Sequence, residues 1–342
     1  MRRIYVDPAY SSFNQDRVFT ATDADLNRDD QLSPFRQLRD AIVKRGHEIH
    51  TADLLPRGPL PPGTEYYSMG QVGDFDDLRR RGARLRAFMI FEPPVVAPHL
   101  YDLLPALTKE FETVYVHNTH GGGYSLAGVD RSRLRRLRWF QQYDDVLVPI
   151  WSRRDRLRKA CVINSNRKPA SMQGELYSER IRAIAELASS GSVDLYGKGW
   201  TKVLLPGGPF KRTLWWPVLR HYGSLRKTYR GSVASKFEVL GKYEFCLCLE
   251  NMRMDGFMTE KLWDCLYSGT IPIYLGPKDV GSMVPESCFI DASGFKSWSE
   301  AWAYASSLPR SELDEMRQAG RAFIRGDASR PYKDSLLRMF LD

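Results

Sequence analysis

Residues 236–291 contain the arrangement that most constrains the fold of this chain. A short apolar run, Phe245 to Leu249, ends on a polar pair, as a buried strand does at its carboxyl end. Thr259 then predicts the start of a helix, Gly269 predicts its end, and a second apolar strand follows at Thr270 to Leu275. The expected unit is strand, loop, helix, strand, with polar side chains in the loop. In open α/β sheets that edge binds ligands, and a helix N-terminus there suits an anion.

The rest of the chain alternates strand and helix patterns in the same way. The predicted strands are 3–6, 48–54, 85–91, 113–117, 145–150, 161–164 and 193–196. The predicted helices are 35–46, 100–111, 178–188, 300–308 and 311–324. The predicted loops are 7–32, 56–73 and 206–223. Such alternation predicts open, mostly parallel sheets and an α/β fold class.

The length of 342 residues suits two domains of ordinary size, and 43% hydrophobic residues exclude wholesale disorder. We expect an N-terminal α/β domain at 1–152 and a C-terminal α/β domain at 160–325. The basic segment 151–159 is the predicted linker between them. A tail, 326–342, is expected to pack back on the N-terminal domain.

The formal net charge of +9 suits an anionic partner, such as a sugar nucleotide, an anionic glycan or a membrane surface. The arginine clusters at 79–86, 131–138 and 153–159 are equally consistent with solvated helix faces or a linker. A nucleic-acid partner is not expected, because no zinc finger, aromatic RNA-binding pair or arginine-rich tail accompanies the charge. No apolar run reaches the ~20 residues of a membrane span, and the N-terminus has no apolar signal core. The expectation is a cytoplasmic protein without a transmembrane segment, for which peripheral membrane contact stays open.

Within 236–291 the pattern ENxxxxxFxTEKLxxxxxxGTIPIYxG, followed by PxxxFID, resembles the donor-binding signature of the α1,3-fucosyltransferases, glycosyltransferase family 10. Three further segments resemble the family in the right order: VINSNRKP at 162–169, SERIRAIAEL at 178–187 and VDLYGKGW at 193–200. The resemblance covers roughly residues 160–295. It implies two Rossmann-like domains facing across a cleft, the GT-B arrangement, with acceptor binding in the N-terminal domain and nucleotide-sugar binding in the C-terminal one. Animal members carry an N-terminal membrane helix, so the chain resembles a divergent, bacterial-type member.

The resemblance also implies roles for charged residues near the motif. Lys261 would stabilise the departing diphosphate, although the residues alone allow a surface lysine that pairs with Glu250 or Glu260. Arg180 aligns with the family's phosphate-binding arginine, and Arg182, two residues on, is the alternative. Glu260 would accept hydrogen bonds from the donor sugar or stabilise charge on its ring; otherwise it is a favourable acid in a first helical turn.

The neighbouring motif positions include two departures from the family. The resemblance makes Asn251 a nucleotide contact and Glu250 its support, although both could simply close loop amides. Phe257, a predicted donor-binding position, stands where the family usually has tyrosine, and Met252 stands where it has serine. A lost hydroxyl removes a hydrogen bond worth about 0.5–1.5 kcal/mol. Of the implied properties, the donor GDP-fucose therefore depends most on the resemblance.

Glu92 is the predicted general base, because it ends an expected buried strand and two prolines fix the turn behind it. A strand-end acid in a salt bridge is the alternative. His117, Asn118 and His120 follow the next strand and are candidates for acceptor binding or for a different base. We expect no metal site, since the HxxH spacing lies in a strand-to-loop context and the DxD sequences at 23–25 and 74–76 follow no convincing strand.

Together these observations predict an inverting glycosyltransferase that needs neither metal nor cofactor. It would transfer L-fucose from GDP-fucose to a hydroxyl of a glycan or glycoconjugate, with Glu92, Glu260 and Lys261 as the catalytic residues. The alternatives are the same fold with another nucleotide sugar, or a non-catalytic protein that binds sugar nucleotides or glycans.

Overall fold

The computed structural model describes residues 1–205 and 207–341, which form two compact units. The first unit comprises Met1–Gln142 and the residues from Pro331 onward, and the second is Tyr143–Arg330. The predicted linker, 151–159, lies inside the second unit, where Leu157 already begins a strand. Pro206 and Asp342, which belong to the predicted loop 206–223 and the predicted tail 326–342, lie outside the described residues.

Each unit is built on a parallel sheet. The strands of the first unit are β1 (Arg3–Asp7), β2 (Glu48–Thr51), β3 (Thr64–Ser68), β4 (Arg84–Met89), β5 (Thr113–Val116) and β6 (Leu134–Arg136). Those of the second unit are β7 (Leu157–Ile163), β8 (Val193–Tyr196), β9 (Tyr243–Leu249), β10 (Ile271–Leu275) and β11 (Ile290–Asp291). The strand orders are β2-β1-β3-β4-β5-β6 and β11-β10-β9-β7-β8, and all pairs are parallel. The predicted parallel α/β class is therefore confirmed.

Helices connect most of these strands. In chain order the α-helices of the described residues are α1 (Arg17–Thr20), α2 (Ser33–Lys44), α3 (Phe75–Arg80), α4 (Pro98–Asp102), α5 (Leu104–Glu110), α6 (Val148–Trp151), α7 (Tyr177–Ala188), α8 (Pro209–Leu219), α9 (Tyr222–Thr228), α10 (Lys236–Leu240), α11 (Glu260–Ser268), α12 (Trp298–Ser307), α13 (Arg310–Arg325), α14 (Arg330–Lys333) and α15 (Ser335–Leu341). None of the helices in the described part of the chain is both long enough and apolar enough to cross a bilayer.

The strand-helix-strand unit predicted from 236–291 is confirmed as β9, α11 and β10. Every residue of β9 and of β10 is buried, as expected for central strands of a parallel sheet covered on both faces. Helix α11 buries its face around Trp263, which is fully inaccessible. It ends where Gly269 adopts the left-handed conformation, with φ of +71°.

Four sequence predictions are wrong at the level of elements. The predicted loop 7–32 contains helix α1, whose Val18 and Phe19 are buried in the core of the first unit. The segment 56–73 contains β3, all of whose residues are buried, and is not a surface loop. Residues 145–150 form no strand; their end belongs to helix α6, which has a proline in its first turn. The described part of 206–223 contains helix α8 and the start of α9.

The C-terminal helix α15 belongs to the core of the first unit. Leu336, Met339 and Phe340 are buried in the same apolar cluster as strand β1 and helix α2. The Phe340 ring stacks on Tyr67 with centroids 4.3 Å apart, and its carbonyl oxygen accepts a hydrogen bond from Arg2 Nη2 at 2.9 Å. Helix α15 therefore packs against the sheet that contains β1 and β3.

Candidate functional site

The strand order of the second sheet reverses between β7 and β9, which are neighbours although β8 lies between them in sequence. The chain runs outward from β7 to β8, and returns to place β9 on the other side of β7. Such a reversal leaves a crevice at the carboxyl ends of the two strands, and ligands of open α/β sheets bind there. Asn164 follows β7 at this edge, and Glu250 and Asn251 follow β9.

Glu250 organises the first turn of helix α11. Its side chain is fully inaccessible, and its two carboxylate oxygens accept hydrogen bonds from Thr259 N at 2.9 Å and from Thr259 Oγ1 at 2.9 and 3.1 Å. Lys261 Nζ donates to Glu250 Oε2 at 3.0 Å, and the Tyr274 hydroxyl donates to Oε1 at 3.4 Å. Thr259 occupies the N-cap position, but its hydroxyl is bonded to Glu250 and does not cap the helix as predicted.

Lys261 and Glu260 place a charge pair at the start of α11. Burial opposes the charge on Lys261, but the carboxylates of Glu250 and Glu260 outweigh it and raise the pKa of the ammonium group. Burial favours the neutral form of Glu260, yet the nearby cations Lys261 and Lys236 lower the pKa of its carboxyl. Both groups are therefore charged at neutral pH. The Glu260 side chain is 41% exposed and that of Lys261 17%, so the acid is the more accessible of the two.

Arg180 is a buried cation beside the carboxyl end of strand β9. It lies on the buried face of α7, and its Nη2 donates to the carbonyl oxygens of Leu249 and Glu250 at 3.0 Å each and to Asn251 Oδ1 at 3.4 Å. Burial lowers the pKa of its guanidinium, and Nε is buried without a hydrogen-bond partner. No carboxylate of the described residues forms an ion pair with Arg180, so this buried charge is contacted by carbonyl dipoles and by the Tyr177 ring, whose centroid lies 5.3 Å from Cζ.

Arg182, the alternative to Arg180, points elsewhere. Its guanidinium is 51% exposed and forms an ion pair with Glu179 at 2.6 Å. The difference follows from helical periodicity, since Arg180 shares its face with Tyr177, Ile181 and Ile184, all of which are buried. That spacing was available in the sequence and would have separated the two arginines.

Asn251 and Phe257 lie on either side of the loop that leads to α11. Asn251 is half-buried; its Oδ1 accepts from Arg180, and its backbone oxygen accepts from Leu176 N at 3.0 Å. The Phe257 ring is 1% exposed and lies in the protein interior. The structure thus brings five of the predicted residues to one edge of the sheet: Arg180, Glu250, Asn251, Glu260 and Lys261. Phe257 is buried in the interior and is not exposed at that edge.

The predicted base, Glu92, belongs to the first unit and not to a strand. Strand β4 ends at Met89, and Glu92 follows in a loop braced by two buried prolines, Pro93 and Pro94. The Tyr101 hydroxyl donates to the backbone oxygen of Glu92 at 3.1 Å. The side chain is half-buried at the carboxyl end of the first sheet.

His117 and Asn118 stand beside Glu92 in the same unit. His117 is fully inaccessible, and its Nε2 lies 2.8 Å from the carbonyl oxygen of Phe91. Burial, helped by the charge of Arg136, lowers the pKa of His117 to about 4, so its ring is neutral at pH 7. A general base is most effective when its pKa is near the working pH, so a buried histidine with this pKa is poorly suited to exchange protons with a substrate near neutral pH.

Asn118 shapes the glycine loop that follows β5. Its Oδ1 accepts from Gly121 N at 3.0 Å and from Gly122 N at 3.2 Å, so its side chain holds the loop closed. His120 is exposed on that loop. Of the three candidates for acceptor contact, only His120 therefore offers its ring to solvent. Across 1–205 and 207–341, no three His, Cys, Asp or Glu side chains are grouped as a metal site would require.

Two residues that support the site had no individual signal in the sequence. Tyr274 lies in the apolar strand β10, and its hydroxyl reaches Glu250. Asn166, in the loop after β7, donates through Nδ2 to the carbonyl oxygens of Gly199 and Lys202 at 3.1 and 2.7 Å. Each forms hydrogen bonds to residues that follow a different strand, so its partners become evident only when the strand pairing is known.

The second unit matches a protein family. The family model for the C-terminal domain of glycosyltransferase family 10 (fucosyltransferase) matches residues 151–317. An α-(1,3)-fucosyltransferase of Helicobacter pylori is 40% identical over 86 residues, which are 25% of this chain and 18% of that protein. An α-(1,4)-fucosyltransferase of Arabidopsis thaliana is 41% identical over 69 residues, 20% of this chain and 17% of that protein. The matched stretches thus span less than a fifth of these relatives.

The fold extends the likeness to both units. A crystal structure of an α1,3-fucosyltransferase with GDP matches with a TM-score of 0.54 and 16% identity, covering 94% of this chain and 82% of the other. At that identity the match establishes the fold, which is the predicted GT-B class of two parallel-sheet α/β domains. Residues 151–317 of the chain therefore form a C-terminal domain of the kind found in glycosyltransferase family 10.

Proposed function

We propose that this protein is an inverting, metal-independent glycosyltransferase that transfers L-fucose from GDP-fucose to a hydroxyl of a glycan or glycoconjugate. The observation that supports it most directly is Arg180, a buried guanidinium without a carboxylate partner at the crevice between β7 and β9. A diphosphate is the kind of group that would compensate such a charge, through the charge-assisted hydrogen bonds that arginine forms with phosphate. The family match and the names of the relatives support fucosyl transfer.

The donor end of the reaction would use the residues around α11. In this proposal the diphosphate leaves with growing negative charge, which Arg180 and Lys261 stabilise together with the helix N-terminus. Glu250 keeps the Lys261 ammonium in place through their 3.0 Å contact. The accessible carboxylate of Glu260 accepts hydrogen bonds from the donor sugar, and Asn251 contacts the nucleotide.

The acceptor end would need a base, which the proposal assigns to Glu92. The acceptor oxygen forms a bond to the anomeric carbon while the bond from that carbon to the diphosphate oxygen breaks, and Glu92 takes the acceptor proton. Attack opposite the leaving group inverts the anomeric configuration. The reaction as written requires neither a metal nor a cofactor.

Calorimetric titration with GDP and a transfer assay with GDP-fucose test the proposal. Arg180→Gln should weaken GDP binding by about 10- to 100-fold, since a hydrogen bond to a charged group contributes about 1.5–3 kcal/mol. Arg182→Gln, on the exposed face of the same helix, should leave the affinity unchanged. Glu92→Gln should bind GDP normally and lose about 10²- to 10⁴-fold in transfer rate.

Different outcomes would indicate different functions. Unaltered GDP affinity in Arg180→Gln would contradict the assigned diphosphate site. Binding of UDP, dTDP or CMP in preference to GDP would identify another nucleotide-sugar donor. Nucleotide binding without transfer from any labelled sugar nucleotide would instead identify a binding protein.

A further inference from the structure

The positive charge of this chain is concentrated in one segment. Residues 195–237 contain nine lysines and arginines and no aspartate or glutamate. Those nine charges equal the formal net charge of the whole chain, +9, so the remaining residues are neutral overall. A segment of this kind carries a local positive potential that is not offset by acids in its own sequence.

The segment is anchored firmly to the second sheet. It begins with the turn after β8, which Asn166 holds through the carbonyl oxygens of Gly199 and Lys202. Lys168 Nζ donates to the carbonyl oxygen of Leu205 at 3.1 Å. Helix α8 then buries Trp215 and Val218. The segment is therefore part of the folded second unit, with one defined face packed inward.

The opposite face of α8 is exposed, basic and aromatic. Arg212, Trp216 and Arg220 are spaced i, i+4 and i+8, so they share one side of the helix; we call them the α8 face. Trp216 is 73% exposed, the highest value of any large apolar side chain in the described residues. Leu214, in the same helix, is 46% exposed, and Val203 and Leu205, in the turn before it, are 48% and 44% exposed.

We propose that the α8 face, together with the exposed apolar residues of the same segment, binds the surface of an anionic lipid bilayer. Tryptophan flanked by arginines is the composition of an interfacial helix, whose indole enters the headgroup region while the cations contact lipid phosphates. Exposed Leu and Val side chains favour a bilayer over an anionic glycan, because hydrocarbon has no counterpart in a hydrated polysaccharide. The charge complementarity is with anionic lipids, which attract each nearby lysine or arginine.

Sedimentation of the full chain with lipid vesicles tests this binding. The chain should bind vesicles of 70% phosphatidylcholine and 30% phosphatidylglycerol and not those of phosphatidylcholine alone. Arg212→Gln/Arg220→Gln should lower the partition coefficient about 30-fold, because each cation near the surface contributes about fivefold. Trp216→Ser should lower it about tenfold or more. Raising the salt from 0.1 to 0.5 M should weaken binding, since charge attraction is screened.

Matched controls come from an exposed face of the first unit. Lys44→Gln/Arg45→Gln removes the same two charges from the end of α2, and Val43→Ser removes an apolar side chain that is 56% exposed. Both controls should bind the anionic vesicles as the wild type does. Anionic vesicles whose lipid acyl chains are brominated should quench the tryptophan fluorescence of the wild type. Trp216→Phe should abolish that quenching.

Several results would overturn the proposal. Absence of binding to the anionic vesicles would do so directly. Equal vesicle affinity of the wild type and Trp216→Ser would show that the indole does not enter the bilayer and would overturn the assignment of binding to the α8 face. Equal losses in the control variants would show that total charge, and not the α8 face, determines binding. Retention on dextran sulfate that falls in Arg212→Gln/Arg220→Gln, without vesicle binding, would identify an anionic glycan as the partner.

Discussion

The ion pair between Lys261 and Glu250 can be measured directly with a double-mutant cycle. Its atoms are 3.0 Å apart, the carboxylate is fully inaccessible and the lysine is 17% exposed. At an effective dielectric constant of about 20, unit charges at this distance attract by about 5 kcal/mol. Partial exposure of the lysine reduces this value, so we expect a coupling energy of about 2–4 kcal/mol.

The two single variants should differ in a defined order. Lys261→Met leaves the Glu250 carboxylate buried without a cation and should cost about 3–5 kcal/mol of unfolding free energy. Glu250→Gln should cost less, because Lys261 can turn its ammonium towards solvent. The double variant should lose less than the sum of the two, since the removed attraction is counted in both single variants.

Urea unfolding followed by tryptophan fluorescence is the assay. Seven of the eight tryptophans belong to the second unit, so their emission reports the unit that contains the pair. The control is the pair Arg330 and Asp327, whose atoms are also 3.0 Å apart but whose side chains are 70% and 90% exposed. It should show almost no coupling. A Lys261–Glu250 coupling as small as that of the control pair would refute the reasoning.

Three further results are expected. Folding raises the pKa of Lys261, so the stabilisation from its charge is fully present below the unfolded lysine pKa of about 10.4 and is lost only as the pH rises through the still higher folded pKa. The double-mutant cycle should therefore give the same coupling energy at pH 7 and pH 9.5. A clear fall in the coupling energy by pH 9.5 would contradict the raised pKa. Gly197→Ala should lower the free energy of unfolding by at least about 2 kcal/mol, because its Cβ would lie 2.0 Å from the backbone oxygen of Asn164 at a φ of +128°. The control Gly191→Ala, with φ of +66° and nothing within 4 Å of the added Cβ, should lower it by about 1 kcal/mol. Equal losses of the two variants in urea unfolding would show that the contact with Asn164 is unimportant. His117 has a folded pKa of about 4, below the unfolded value of about 6.5, so the unfolded state takes up its proton first as the pH falls. Between pH 6.5 and pH 5 the first unit should lose about 2 kcal/mol, and His117→Gln should show a correspondingly smaller pH dependence; an identical pH dependence would contradict the neutral buried ring.

The sequence predicted well those elements whose partners are nearby in the chain. Strand β9 is a continuous apolar run, α11 has a threonine before it and a glycine after it, and β10 follows at once. Each boundary depends on the conformational preference of one or two residues. The order of these three elements, and the placement of Glu250 and Lys261 at their junction, were therefore accessible from local pattern alone.

Strand β3 was missed because its polar groups are satisfied at long range. Its sequence, TEYYS, has the composition of an exposed segment, yet all five residues are buried. The Tyr66 hydroxyl donates to Asp7 Oδ2 at 2.8 Å, and Arg2 binds both Glu65, at 2.7 Å, and the Tyr67 hydroxyl, at 2.9 Å. Those partners lie about 60 residues away, so no local pattern contains them.

The candidate site likewise combines features that local sequence predicts with features that depend on distant residues. The sequence placed Thr259 at the N-cap correctly but not the direction of its hydroxyl, because Glu250 competes for it from another strand end. Arg180 could have been distinguished from Arg182 by helical spacing. Its three hydrogen bonds to the residues at the end of β9 could not be anticipated, since they depend on which strand lies beside β7.

The reversal of strand order between β7 and β9 also determines when the crevice can form during folding. Cys161 of β7 pairs with Cys246 of β9, roughly 85 residues further along the chain, whereas β7 pairs with β8 after only about 30. The loop closed by the β7–β9 pairing contains α7, β8 and the whole basic segment 195–237. Closing it costs more conformational entropy than the nearer pairing, so the β7–β8 pair has the advantage of forming first. Arg180 reaches the carbonyl oxygens of Leu249 and Glu250 only after β9 has docked. We therefore expect the crevice to form after the β7–β8 pair, because its contacts depend on the pairing with the longer loop.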